Sequence, residues 1–269
     1  MDMPEETNLN QDDLVEQPII SHLVELRNRI LKSLLGVVIV FSPLAYYAND
    51  IYGWVANPLL RHMPAGTQMI AIDVASPFFI PFKLSLVLAI VVAVPWILFQ
   101  VWGFVAPALY RREKRLVLPL LVASTLLFYA GVAFAYWVVF PLMFGFLTAT
   151  TPTGVTMMTD ISHYLDFILT IFLAFGVVFE VPIATILLVW SGVVTREWLV
   201  AHRPYVIVGA FIIGAILTPP DIVSQTLLSI PMWLLFEAGL WISGFFKPAM
   251  ELADDDHIPA LGEPNATDD

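Results

Sequence analysis

The sequence predicts an all-α integral membrane protein with six transmembrane helices, and three observations carry that prediction. Hydrophobic residues make up 59% of the 269-residue chain and charged residues 13%, whereas soluble domains hold about 45–50% and about 25%. The apolar residues collect into runs long enough to cross a hydrocarbon core of roughly 30 Å, which takes about 20 residues of helix. The cations between those runs fall almost wholly on one side, as the preference of Lys and Arg for cytoplasmic loops requires.

The elements follow in chain order. Residues 1–18 are acidic, lack aromatic side chains and show no periodicity, so they are expected to form a disordered tail. In "QPIISHLVELRNRILKSLL" the residues Ile19, Leu23, Leu26 and Ile30 recur at helical spacing with charges on the opposite face. This segment is expected to lie along the membrane surface before turning into the first span. Spans are expected at about 30–48, 78–106, 116–140, 164–191, 204–217 and 222–243. The last two are separated by "TPPD", whose two prolines force a tight break. Pro95 in the second span and Pro182 in the fourth predict kinks, which neighbouring helices can accommodate. Apolar periodicity from Ile51 to Leu60 predicts a short interfacial helix in the first long loop. The six-span domain covers 19–246, and 247–269 form a second acidic tail expected to be disordered.

The net charge of −11 resides in the tails. Residues 1–18 and 248–269 hold 13 of the 23 acids and none of the 12 cations. Arg27, Arg29 and Lys32 precede the first span, Arg111, Arg112, Lys114 and Arg115 follow the second, Arg196 and Arg203 follow the fourth, and Lys247 follows the sixth. Only Arg61 and Lys83 fall on the other side. The positive-inside rule therefore places both termini and the loops 107–115 and 192–203 in the cytoplasm. The acidic N-terminus, followed by a full-length apolar run without a small-residue cleavage site, predicts that the first span stays in the mature protein.

No cysteine is present, which excludes disulfides and thiol chemistry. The sequence has no HExxH, no GxSxG and no nucleotide-binding glycine loop, and its five His are scattered without an i,i+4 pair. An enzyme, a metal site, a bound cofactor and a nucleic-acid partner are accordingly not expected. Attention turns to the carboxylates. Glu25 stands four residues before Arg29, the spacing of an intrahelical ion pair. Glu113 sits among four cations in "LYRREKRL", where it serves either to balance charge or to receive an incoming guanidinium fork. Glu180 in "AFGVVFEVPIA" is an ionisable side chain inside a span, which is costly and points to a cavity or a partner unless it makes a structural hydrogen bond. Gln225 and Thr226 in the sixth span are weaker signals, because uncharged polar residues often join helices. Glu237 lies toward the cytoplasmic end of that span.

Taken in order, "SHLVELRNRI", "DVASPFF", "QVWGFVAPALYRREKRLV", "FGVVFEVPIA" and "RPYVIVGAFIIGAILTPPDIVSQTLLSIPMWLLFE" resemble the TatC family. TatC is the multispanning receptor subunit of the twin-arginine protein translocase. The resemblance runs from about Ile19 to Ile242 and implies a cup-shaped six-helix bundle in the cytoplasmic (inner) membrane. It implies a protein that binds the twin-arginine signal peptides of folded precursors and works with TatA and TatB, single-span partners, in transport that draws on the proton-motive force. Matched motif by motif, the acids that meet the signal's arginines are Glu25 and Glu113. Arg27 and Phe104 fall at positions used for signal recognition, and Pro58 at one used for assembly. Glu180 matches the family's buried acid of the fourth span and Asp221 the acid of "PPD". Thr218 and Gln225 match a polar patch offered to partner helices. Outside the resemblance, a proton-coupled secondary transporter would also use six spans and Glu180, although such folds pair broken helices about a midplane site. A structural membrane scaffold would use Glu180 only in packing.

Overall fold

A computed structural model describes residues 11–53, 68–105, 114–149, 158–217 and 222–245, nearly all of them helical. The chain forms two compact units, Met1–Asn57 with Val74–Leu121, and Pro58–Asp73 with Val122–Asp269.

The first unit is built on two long helices, α1 (Gln11–Tyr46) and α2 (Ser76–Val105). They pack through Val37 of α1 against Ala89 and Ala93 of α2, with Val40, Phe41 and Ile97 beside them. The two alanines stand four apart, so one face of α2 carries small side chains where α1 approaches, the usual way membrane helices gain packing. Gly36 serves the same end, since a Cβ there would overlap the Trp96 ring. Indole Nε1 of Trp96 donates to the Lys32 carbonyl at 2.9 Å. One expectation is corrected: helix α1 does not break between a surface segment and a span but is continuous over 36 residues from Gln11 to Tyr46. Nothing between Ile19 and Leu35 is Gly or Pro, and extending an existing helix fixes one residue per added hydrogen bond, so nothing stops the propagation.

Residues Lys114–Phe134 form α3, which belongs to the first unit up to Leu121 and to the second from Val122; the two strands and the later helices lie in the second unit. A π-turn, Ala135–Val139, leads into α4 (Phe140–Ala149), carrying helix about nine residues past the expected end of the third span at 140. The wide turn ends two residues before Pro141, whose missing N–H and bulky ring disturb the regular ladder. Strands β1 (Gln68–Ile70) and β2 (Met158–Asp160) pair in parallel, Gln68 opposite Met158 and Ile70 opposite Asp160. The fourth span is two helices, α5 (Ile161–Val178) and α6 (Val181–Trp190), separated at Phe179–Glu180 with Pro182 in the first turn of α6. This interruption falls where Pro182 leads to the expectation of a kink. A short α7 (Arg196–Ala201) precedes α8 (Arg203–Leu217) and α9 (Ile222–Ser243).

Close approach again falls on glycine. A Cβ at Gly131 of α3 would meet the Phe175 carbonyl and the Phe179 ring, and one at Gly176 of α5 would meet the Phe128 ring. Phe140 and Phe175 are almost fully buried in this unit, with Phe172 edge-on to Phe140 at 5.0 Å. Among the described residues five helical stretches are long and apolar enough to cross a membrane: Ile20–Tyr46, Ser76–Val105, Leu118–Phe146, Ile161–Trp190 and Gln225–Ser243. The fifth expected span is the shorter apolar helix Arg203–Leu217.

Candidate functional site

Glu25 and Phe104 are brought into one neighbourhood by the seam of α1 and α2. Arg29 lies one turn after Glu25, and its Nη2 donates to Glu25 Oε1 at 3.3 Å. The same guanidinium reaches across to α2, Nη2 to the Gly103 carbonyl at 3.2 Å and Nη1 to Gln100 Oε1 at 3.2 Å. Gln100 is 2% exposed, so its amide oxygen needs a donor, and Arg29 supplies one. Gly103 is small for a reason: a Cβ there would stand 2.5 Å from Arg29 Nη1. His22, one turn before Glu25, stacks on Phe104 with ring centroids 4.3 Å apart. Glu25 keeps 36% of its side chain exposed against 27% for Arg29, so the carboxylate is held at an open edge while its partner is tucked into the seam. Arg27 points to the exposed side of α1.

The second unit carries the membrane acid. Glu180 is the residue at the break between α5 and α6, and Ser124 of α3 donates its hydroxyl to Glu180 Oε2. Glu180 Oε1 is buried and accepts no hydrogen bond among the described residues. Gln225 Nε2 donates to the Phe211 carbonyl at 2.9 Å, and Ser229 donates to the Ala210 carbonyl at 3.1 Å. These bonds join α9 to α8, so at least one amide donor of Gln225 is used within the chain. Arg203 Nη2 pairs with Glu237 Oε2 at 2.7 Å, and Arg196 Nε donates to the Leu240 carbonyl at 3.2 Å. Two of the cations read as topology signals thus also tie helix ends together. Pro58, Glu113, Thr218 and Asp221 lie outside the described residues, as does most of the expected interfacial helix; helical backbone is seen at 48–53.

Three roles escaped the sequence reading. The sequence marks Arg29 as an orienting cation and a local ion partner; Gln100, a polar side chain inside the expected second span, is the one signal that a donor has to meet it. Ser124 in α3 was one of many isolated serines with nothing to distinguish it. Asp160 stands directly before "ISHYL", an N-cap signature that was present in the sequence. Its Oδ1 accepts from the Ser162 and His163 N–H groups at 2.9 and 3.2 Å, and Oδ2 accepts from the Ile72 N–H at 2.9 Å. The Ile72 bond chiefly, with the two cap bonds, holds the Asp160 carboxyl below its ordinary pKa against the opposing effect of burial.

Comparisons with known proteins agree with this arrangement of elements. The family model described as Sec-independent protein translocase protein (TatC) matches residues 21–231. The chain is 60% identical over 232 residues to the Sec-independent protein translocase protein TatC of Haemophilus influenzae, covering 86% of this chain and 91% of that protein. It is 56% identical over 230 residues to the protein of the same name from Escherichia coli K12, covering 86% and 89%. A crystal structure of the "Twin Arginine Translocase Receptor- TatC" superposes with a TM-score of 0.75 at 39% identity, covering 83% of this chain and 98% of that one.

Proposed function

Since the chain belongs to the TatC family of Sec-independent protein translocase proteins, we propose that it is the receptor for twin-arginine signal peptides and that Glu25 and Glu113 receive the two arginines. The observation that carries this reading is the Glu25 edge of the α1–α2 seam. There a carboxylate is held in place by Arg29 through Oε1 and remains partly exposed beside the stacked His22 and Phe104. A guanidinium fork matches such a carboxylate with two parallel charge-assisted bonds, which an ammonium cannot do. The adjacent aromatic face suits a guanidinium plane as well. Glu113 contributes the second acceptor, Arg27 and Phe104 flank the peptide, and the cations of 107–115 keep that loop on the cytoplasmic side with both termini, in the inner membrane.

In the same reading the protein is one subunit of an assembly with single-span TatA and TatB, and transport draws on the proton-motive force. Pro58, Thr218, Asp221 and Gln225 serve assembly with those partners, and Glu180 serves transport. The test is binding of a labelled twin-arginine peptide to the purified protein. Glu113→Ala, and to a lesser degree Glu25→Ala, is expected to weaken it by about 1.5–3 kcal/mol, the scale of a hydrogen bond to a charged group. Replacing the peptide's arginines by lysines is expected to weaken binding to the parent. Unchanged affinity in a correctly folded Glu113→Ala protein would sink the assignment.

A further inference from the structure

Arg29 presents to Glu25 the same chemical group that a twin-arginine peptide would bring. Resting on the receptor reading above, we propose that Arg29 is the resident guanidinium of the Glu25 site: it satisfies the carboxylate while the receptor is empty and yields it to an incoming arginine. Three features make the yielding cheap. The bond to Glu25 is a single contact of 3.3 Å at a partly exposed pair, the weak class of ion pair. When Glu25 turns to a ligand, Arg29 keeps Gln100 Oε1 and the Gly103 carbonyl, both at 3.2 Å and both on the other helix. The glycine at 103 leaves room for the guanidinium against the α2 backbone. The buried Gln100 is then a positioning residue. It does not touch the peptide, and it decides whether Arg29 leans on α2 or on Glu25.

The proposal predicts opposite effects from two substitutions at one buried position. Gln100→Leu removes one of the two acceptors on α2, so Arg29 relies more on Glu25 and competes with the ligand. Twin-arginine peptide affinity should fall roughly tenfold, the scale of one charge-assisted hydrogen bond. Gln100→Glu strengthens the hold of α2 on Arg29, so affinity should stay at the parent level or rise. A twin-lysine peptide needs one carboxylate oxygen only, so Gln100→Leu should shrink the Arg-to-Lys affinity ratio. Gly103→Ala, which pushes the guanidinium off α2, should behave as Gln100→Leu does.

The experiment is a titration of the full-length protein with fluorescent twin-arginine and twin-lysine peptides, with Glu25→Ala alongside. A merely structural Gln100 would give losses of equal size for Leu and Glu with an unchanged ratio, and that result overturns the proposal. So does parent-like binding by Gln100→Leu when Glu25→Ala is impaired. If Glu25→Ala itself binds like the parent, the role of Glu25 as an acceptor fails first. Should Gln100→Leu not fold, the near-isosteric Gln100→Glu and Gly103→Ala decide the matter.

Discussion

Asp160 shows how much a single side chain can organise without any mark in composition. One carboxylate caps α5 and, through the Ile72 N–H, fastens the chain leaving β1 to the start of the fourth span. Its folded pKa is lowered, so its stabilising contribution is full above the ordinary carboxyl range and is lost as pH falls through the lowered value. Thermal melts of the parent should therefore lose this contribution only below about pH 4. Asp160→Ala should melt lower than the parent at neutral pH, with the difference closing in acid. Asp160→Asn should fall between them, because an amide oxygen can still cap the helix. A difference that stays constant from neutral to acid pH would show that the charge is immaterial. Glu180 is the contrasting case: the sequence singles it out as an ionisable group inside a span and by its match to the family's buried acid, and the structure adds the Ser124 hydroxyl and the helix break beside it.

Helix lengths make the sharpest statement at the level of elements. Helix α8 has 15 residues, which at about 1.5 Å each reach roughly 22 Å, short of a core of about 30 Å. Helix α9 is 22 residues long. A short span is accommodated by thinning the bilayer at a fraction of a kcal/mol per Å. Inserting four apolar residues after Ile213 is expected to leave twin-arginine peptide binding intact, because the Glu25 seam belongs to other helices. Partner docking and transport should be impaired. Normal transport by the lengthened protein would mean that the short helix reflects packing alone, through contacts such as Ser229 to the Ala210 carbonyl. Other element boundaries had local causes that were readable, among them Pro182 at the break in the fourth span. The unbroken α1 was not readable in the same way, since amphipathic spacing looks alike in a surface helix and in the start of a span.

For the molecule as a whole, the expected orientation rests on the six-span reading, which puts ten cations on one side against Arg61 and Lys83 on the other. The absence of cysteine makes the test direct, because one Cys can be introduced anywhere without removing another. Cysteine replacing His62 or Thr153 should react with an impermeant thiol reagent from outside intact cells. Cysteine replacing Arg112 or Leu199 should react only after the membrane is opened. Labelling of position 199 from outside would reverse the orientation.

The sequence by itself determined the membrane class, the apolar helical character of the chain and the family. Each of these depends on runs of like residues or on motifs read along the chain, and a bilayer converts an apolar run into a helix with little choice. Tertiary structure alone decided how the polar residues are used. Arg29 could have stopped at Glu25, four residues away, and the sequence could not show that it also reaches Gln100 and Gly103, more than seventy residues on. Ser124 likewise meets Glu180 only because α3 and α5 approach at Gly131 and Gly176. Hydrophobic pattern fixes which segments enter the membrane, while helix contact fixes which buried donor finds which acceptor, and that pairing has no signature in local sequence.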